Sequence, residues 1–143
     1  MTENTNEGPQ VGIARIYVKD SSFESPAAPQ IFSQNASPEI RLNVGVKHQK
    51  AGDDMYEVSL NLNVEAKHGD QIMFIVEVEQ AGVFVVKGFE NEGRKQILEV
   101  FCPTSLFPYA RQTVDQLLSS GSLPPLMLSP INFEQLYNDK NNR

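Results

Sequence analysis

The stretch YEVSLNLNVEA, residues 56–66, alternates apolar and polar side chains at every position. Successive side chains of a β-strand point to opposite faces, so this pattern predicts a strand with one buried and one solvated face. The expected inward set is Tyr56, Val58, Leu60, Leu62, Val64 and Ala66. This strand is the third of four predicted strands.

Turn signals at residues 50–53 and 68–70 flank this strand and connect it to neighbours on both sides. Residues 39–47 alternate in the same way, and residues 11–19 are rich in β-branched side chains, so both are predicted strands. The fourth predicted strand, residues 71–80, is apolar on both faces, because Phe74 and Val76 alternate with Met73 and Ile75. An antiparallel strand with one solvated face should not show this, which indicates that its second face meets another chain or layer.

Beyond Phe89 the apolar residues recur at three- and four-residue steps, the period of a helix. Because proline removes an amide donor and clashes with the preceding turn, Pro103 and Pro108 predict two segments, the second beginning near Pro108 and ending at Gly121. Asn132 resembles the cap of a short last helix. The sequence therefore predicts an α+β fold: a four-stranded antiparallel sheet with a long crossover loop after strand 1, a proline-interrupted long helix and a short C-terminal helix.

The chain of 143 residues has the size of one domain. We expect a disordered arm at residues 1–10, a single domain at residues 11–138 and a polar tail at residues 139–143. The net charge is -6, whereas proteins that bind nucleic acid or anionic membranes usually carry a positive surface. Neither partner is therefore expected. With no apparent signal sequence, no apolar run long enough for a membrane span and a lone cysteine, the protein is predicted to be cytoplasmic.

The residue types that build catalytic or metal sites are few in this chain. His48 and His68 lie at opposite ends of the predicted hairpin and are interpreted as surface residues near turns, so no metal site is expected. Cys102 has no histidine nearby in the sequence to activate it, and a buried structural thiol is favoured. A small thiol enzyme that depends on Cys102 is the alternative, and the prediction is that the protein is not an enzyme.

Two proline-rich loops, residues 20–38 and 123–130, carry apolar side chains outside the predicted core. These side chains are Phe23, Ile31 and Phe32 in the first loop and Leu123, Leu126 and Met127 in the second. They either cap the core or form a groove for varied apolar peptides, since aromatic residues and methionine adapt to different shapes.

Three stretches, RIYVKDSSFESP at residues 15–26, CPTSLFPYAR at 102–111 and LSPINF at 128–133, resemble the SecB family of protein-export chaperones. The resemblance extends roughly from Ile13 to Tyr137. It implies a homotetramer, a dimer of dimers, that holds precursor proteins unfolded in the bacterial cytosol and passes them to the ATPase SecA without a cofactor. A SecB-like chaperone serving another client, such as a toxin–antitoxin pair, is the alternative within this family.

The resemblance also implies three functional surfaces. The residues implied to receive the zinc-binding C-terminal tail of SecA are Asp20, Glu24, Ile75 and Glu77. The residues implied to govern the oligomer interface are Phe74, Val76, Val78 and Gln80. The residues implied to form the client-binding groove are Tyr17, Phe23, Phe32, Leu126, Ile131, Phe133 and Leu136.

Overall fold

The computed structural model describes residues 8–35 and 37–142. Its strands are β1 (Gln10–Glu24), β2 (Glu39–Gly52), β3 (Met55–His68) and β4 (Gln71–Lys87). Its helices are α1 (Asn91–Gln96), α2 (Cys102–Ser120) and α3 (Phe133–Asn141), with a π-helical turn (Ile97–Phe101) joining α1 to α2 and a 3-10 turn (Gln30–Ser33) after β1. Residues 1–7 of the predicted arm and residue 143 of the predicted tail lie outside the described residues.

The four strands form one antiparallel sheet in the order β1-β4-β3-β2, which confirms the predicted fold class. Tight turns connect β2 to β3 and β3 to β4, so only the step from β1 to β2 has to cross the sheet. The crossover loop passes the end of the β3–β4 hairpin. Ser25 Oγ donates to the Met73 carbonyl at 3.4 Å, and the Ser37 N–H donates to His68 Nδ1 at 3.4 Å.

Several element boundaries differ from the predictions: β1 begins at Gln10, the last residue of the predicted arm, and β2 and β4 run on to Gly52 and Lys87. β1 continues to Glu24, five residues past Lys19, although Ser21 and Ser22 have little preference for strands. Pairing with β4 explains this, because Ser21 lies opposite Val78 and Ser22 opposite Glu77 in the ladder. At the other end of the chain, α3 reaches Asn141 and so includes the first residues of the predicted tail.

The core lies between one face of the sheet and the helices. α2 crosses β4, β3 and β1, and its buried side chains include Leu106, Ala110 and Val114. The helix lies close to the sheet at Gly82 of β4, where an added Cβ would lie 3.2 Å from Leu106 Cδ2 and 2.9 Å from the Arg15 carbonyl oxygen. The small residue therefore allows the helix to pack directly on the strand.

The helical region departs from the prediction in where it is irregular. The predicted start of a segment near Pro108 is wrong, because α2 passes through Pro108 and ends at Ser120. The irregularity precedes Pro103 instead, where the Cys102 N–H donates to the Ile97 carbonyl, five residues back, in the π turn. Pro108 leaves the Thr104 carbonyl without its helical donor, and Thr104 is exposed so that solvent can reach it.

The two predicted helix ends agree with the structure. The Gly121 N–H donates to the carbonyls of Leu117 and Leu118 and closes α2. Asn132 caps α3, since its Oδ1 accepts from the Gln135 N–H at 3.0 Å. Among the described residues, no helix combines the length and hydropathy needed to span a membrane.

Candidate functional site

The face of the sheet opposite the helices, called the open face below, carries acidic residues aligned across strands. Glu24 of β1, Ile75 of β4 and Glu65 of β3 lie directly opposite one another in the ladder. Residues paired in this way share a face of the sheet, so a carboxylate stands on each side of Ile75. Ile75 has no apolar neighbour from Met73 on the open face, because the β3–β4 register shifts at Met73. Met73 is unpaired in the ladder and packs against the core instead.

The next rows of the open face complete the predicted SecA-binding set. Glu77 lies opposite Asn63, whose Nδ2 donates to Glu77 Oε2 at 3.1 Å. Asp20 lies opposite Glu79, and the two carboxylates border a shallow concavity of about 200 Å³ together with Glu77 and Asn63. Asp20, Glu24, Ile75 and Glu77 are thus brought together on the open face of two adjacent strands. Glu65 was not among the predicted site residues, and strand register alone places it beside Ile75.

At the other end of the open face the negative charge is compensated. Glu57 Oε1 accepts from Lys19 Nζ at 2.8 Å and from Gln49 Nε2 at 3.0 Å, and Tyr17 also donates to this carboxylate. The hydrogen bonds from Lys19 and then Tyr17 outweigh partial burial and lower the pKa of Glu57 to about 2. Burial, followed by the hydrogen bond to Glu57, raises the pKa of Tyr17 to about 12. Glu57 therefore stays ionised but has little free charge to offer a partner.

The acidic patch is defined as Asp20, Glu24, Glu65 and Glu77. In the described part of the chain, no lysine, arginine or histidine nitrogen lies within 4.0 Å of these carboxylates. Arg41 lies opposite Glu65 in the β2–β3 ladder, whereas Asp20, Glu24 and Glu77 have no basic residue opposite them. Uncompensated negative charge is thus concentrated on these three residues, at the end of the open face near the crossover loop. Such a patch attracts a cationic segment, and Ile75 in its midst supplies an apolar contact.

A second candidate surface is the groove between α3 and β2. It has a volume of about 460 Å³, and its apolar lining consists of Val44, Val46, Phe133, Leu136 and Tyr137. Phe133 is anchored in the core, while Leu136 is 44% exposed. The groove therefore offers apolar surface beside an edge strand.

The polar wall of this groove contains a buried carboxylate, Glu99 of the π turn. Glu99 Oε1 accepts from Lys140 Nζ at 3.2 Å, and its Oε2 lies 3.3 Å from His48 Nε2. Burial raises the pKa of Glu99, but the hydrogen bonds to His48 and Lys140 together outweigh it and leave the pKa below its ordinary value. The cluster joins β2, the π turn and α3, and Tyr137 adds a further link by donating to Glu92 Oε2 at 2.9 Å.

The structure divides the residues predicted to bind clients. Phe133 and Leu136 lie together in the α3 groove, whereas Tyr17 lies on the open face beside Glu57. The remaining predicted residues lie elsewhere: Phe23, Leu126 and Ile131 are half-buried against the core, and Phe32 is half-exposed in the 3-10 turn.

The four residues predicted at the oligomer interface face the helices of their own chain. Phe74, Val76 and Val78 belong to the core. Gln80 is buried as well, where its Nε2 donates to the Tyr17 carbonyl at 3.2 Å and its Oε1 accepts from Thr113 Oγ1 at 3.1 Å. Because these side chains are buried within their own chain, and Gln80 is bonded to Thr113 of α2, any influence on assembly would be indirect. That influence stays a prediction.

The residues considered for chemistry are dispersed. Cys102 is fully buried in the core, and this burial raises the pKa of its thiol to about 12, which disfavours the reactive thiolate. Within residues 8–35 and 37–142, no three His, Cys, Asp or Glu side chains are grouped so as to hold a metal ion. The prominent surfaces are the open face and the α3 groove, and both are of the kind through which proteins bind other polypeptides.

Comparison with known proteins agrees with a polypeptide-binding protein and identifies its family. The family model described as preprotein translocase subunit SecB matches residues 4–143. The protein-export protein SecB of Marinobacter nauticus is 47% identical over 94% of this chain and 81% of that relative. SecB of Ectopseudomonas mendocina is 45% identical over 96% of this chain and 90% of that relative. The chain therefore belongs to the SecB family of protein-export chaperones.

A solved structure supports the fold independently. The SecB-like chaperone of Mycobacterium tuberculosis, in complex with a ChAD peptide from an antitoxin, superposes with a TM-score of 0.70. The superposition covers 85% of this chain and 90% of the Mycobacterium tuberculosis chain, and the two sequences are 18% identical. At that identity the similarity concerns the fold, which the two proteins share.

Proposed function

We propose that this chain is an ATP-independent holdase that keeps precursor proteins unfolded in the cytoplasm and delivers them to SecA, with neither catalysis nor a cofactor. The observation that carries the proposal is the acidic patch around Ile75 on the open face, in a member of the SecB family. The α3 groove lies at a different place on the chain, so one surface can serve the export ATPase and another the client.

The acidic patch is proposed to receive the zinc-binding tail of SecA. A basic peptide is attracted to carboxylates that have no cation of their own, and Asp20, Glu24 and Glu77 meet this condition. Ile75 would contact an apolar side chain of the tail. Glu57 is proposed to contribute little, because Lys19 already compensates its charge.

Client binding is proposed to use the α3 groove, with Phe133 and Leu136, and the half-exposed Phe32 of the crossover loop. One apolar contact contributes about 1 to 3 kcal/mol, so useful affinity for a disordered chain requires many contacts along a wrapped segment. A homotetramer, assembled as a dimer of dimers, would supply this length of surface. Phe101 and Tyr109, which are 46% and 48% exposed on the helical side, support association through that side.

The two-surface proposal is tested with Glu77→Lys. This variant should abolish binding of a zinc-loaded SecA tail peptide, measured by calorimetry, while leaving the affinity for an unfolded precursor unchanged. The matched control is Glu90→Lys, the same charge reversal at an exposed position just before α1, which should retain both activities.

Each outcome has a distinct meaning. Loss of both activities in a folded Glu77→Lys protein would contradict the assignment of separate surfaces. If the wild-type chain captures unfolded protein but ignores the SecA tail, it serves a different client pathway. Light scattering with and without precursor tests the tetramer, and a monomer in both conditions would overturn that part of the proposal.

A further inference from the structure

Gly121, the residue that follows α2, touches the ring of Phe23 near the end of β1. A Cβ added at Gly121 would lie 2.7 Å from Phe23 Cε2 and closer still to Cζ, so even alanine does not fit unless the ring moves. Phe23 lies opposite Val76 in the ladder and packs against the core. The contact therefore joins the last residues of β1 to the end of α2.

The backbone at the end of α2 does not require a glycine at this position. The φ and ψ of Gly121 are -95° and 13°, which other residues can adopt. The left-handed residue is Ser122, whose φ is +62°. The Leu123 N–H donates to the Leu118 carbonyl at 2.9 Å, as in a Schellman motif, where glycine usually takes the left-handed position. Here serine takes that position and the glycine comes one residue earlier, so contact with the Phe23 ring accounts for the glycine.

The end of β1 has little besides this ring to hold it in place. Phe23 is the only apolar side chain between Lys19 and Ser25, and β1 is an edge strand of the sheet in the described chain. Asp20 lies directly opposite Glu79, and like charges in such a pair repel each other. The acidic side chains thus destabilise the strand that carries them, and the packing of Phe23 offsets this effect.

The alternation of side chains along β1 links the ring to the acidic patch. Successive side chains of a strand point to opposite faces, so Phe23 is directed to the core and its neighbour Glu24 to the open face beside Ile75. The two residues share one stretch of backbone. A displacement of the ring therefore moves the Glu24 carboxylate as well.

We propose that Gly121 is a positioning residue for the acidic patch: its missing side chain makes room for Phe23, which holds Asp20 and Glu24 in place for a cationic segment of a partner. The inference rests on the proposed binding of the SecA tail and adds to it a residue on the helix side of the sheet. Gly121 lies away from the carboxylates, so its effect on binding passes through Phe23.

The test moves the ring without changing the charge of the patch. Gly121→Ala should weaken binding of the zinc-loaded SecA tail peptide about tenfold, as measured by calorimetry. The matched control is Gly82→Ala, whose Cβ would meet the Arg15 carbonyl at 2.9 Å, away from the patch, and which should keep the affinity within about twofold of wild type. In Gly121→Ala/Phe23→Leu the clashing ring atoms are gone and an apolar anchor remains, so the affinity should return to within about threefold of wild type.

Charge variants show whether Gly121 acts through β1. The loss caused by Gly121→Ala should disappear in an Asp20→Asn/Glu24→Gln background, because the displaced carboxylates no longer contribute there. It should persist in a Glu77→Gln background, since Glu77 belongs to β4. Amide hydrogen exchange of residues 21–24 should be faster in Gly121→Ala than in wild type. Persistence of the loss in the first background, or unchanged exchange, would contradict the inference.

The remaining outcomes separate this inference from the proposed function. Unchanged tail affinity in Gly121→Ala overturns the inference and leaves the function intact. An equal loss in Gly82→Ala also overturns it, because the effect would then be general destabilisation. If Gly121→Ala does not fold, Phe23→Ala takes its place, with the same loss expected and unchanged affinity as the contrary result. Failure of the wild-type chain to bind the tail peptide overturns delivery to SecA, and this inference with it.

Discussion

Replacing Glu57 by Gln should destabilise the protein at neutral pH and leave its stability nearly unchanged in acid. The substitution keeps the size of the side chain but removes the charge that binds Lys19 at 2.8 Å. The pKa of Glu57 falls from its ordinary 4.5 to about 2, which corresponds to at most about 3.5 kcal/mol. Solvent on the open face screens the pair, so we expect a loss of about 1 kcal/mol in the free energy of unfolding.

The sign of the pH dependence follows from the lowered pKa. Above about pH 5 the carboxylate is ionised in the folded and the unfolded chain, and the folded state gains the full interaction. As the pH falls toward about 2, Glu57 takes up a proton and the wild type loses that stabilisation. The difference between wild type and Glu57→Gln should therefore shrink progressively over this range, as measured by urea unfolding at a series of pH values.

The matched control is Glu65→Gln, on the same strand and the same face, because Glu65 has no cation within 4.0 Å in the described part of the chain. It should change stability by less than about 0.5 kcal/mol. In Glu57→Gln the pKa of Tyr17, read from tyrosinate absorbance, should fall only partway from about 12, since burial is the larger cause of its elevation. Equal effects of the two substitutions at neutral pH would refute the reasoning.

Three further substitutions test the packing and the ion pairs. Gly82→Ala should destabilise by about 1 to 3 kcal/mol in urea unfolding, since its Cβ would meet the Arg15 carbonyl at 2.9 Å, whereas Gly12→Ala, with nothing within 4 Å, should not. Lys140→Met should cost up to about 1 kcal/mol at neutral pH, and this loss should vanish in acid as Glu99, whose pKa is lowered, becomes protonated. Cys102→Ser should lower the melting temperature but leave client binding unchanged; loss of binding by a folded variant would contradict a purely structural thiol.

The parts of the fold that the sequence predicted are those with a clear local pattern. β3 alternates apolar and polar residues without a break. The Asn132 side chain favours the start of a helix, and Gly121, which has no side chain, favours the end of one. The second half of β1 could not be found in this way, because its polar residues become a strand only through pairing with β4. The π turn likewise depends on how the whole helix packs, and no single residue signals it.

The candidate sites show the same division. Composition indicated an acidic protein with apolar loops, but only the register of three strands places Glu65 beside Ile75. The compensation of Glu57 by Lys19 depends on residues far apart in the chain, so no sequence window could separate free carboxylates from paired ones.

The sheet order also determines when a growing chain can finish folding on the ribosome. β2, β3 and β4 are joined by tight turns and can pair soon after they are synthesised. β1 emerges first, but its only neighbour in the sheet of the described chain is β4, so it cannot pair until β4 is synthesised. During that interval Val11, Ile13 and Val18 belong to an unpaired strand, which is prone to aggregation. A chain truncated before β4 would therefore be an aggregation-prone fragment rather than a smaller chaperone.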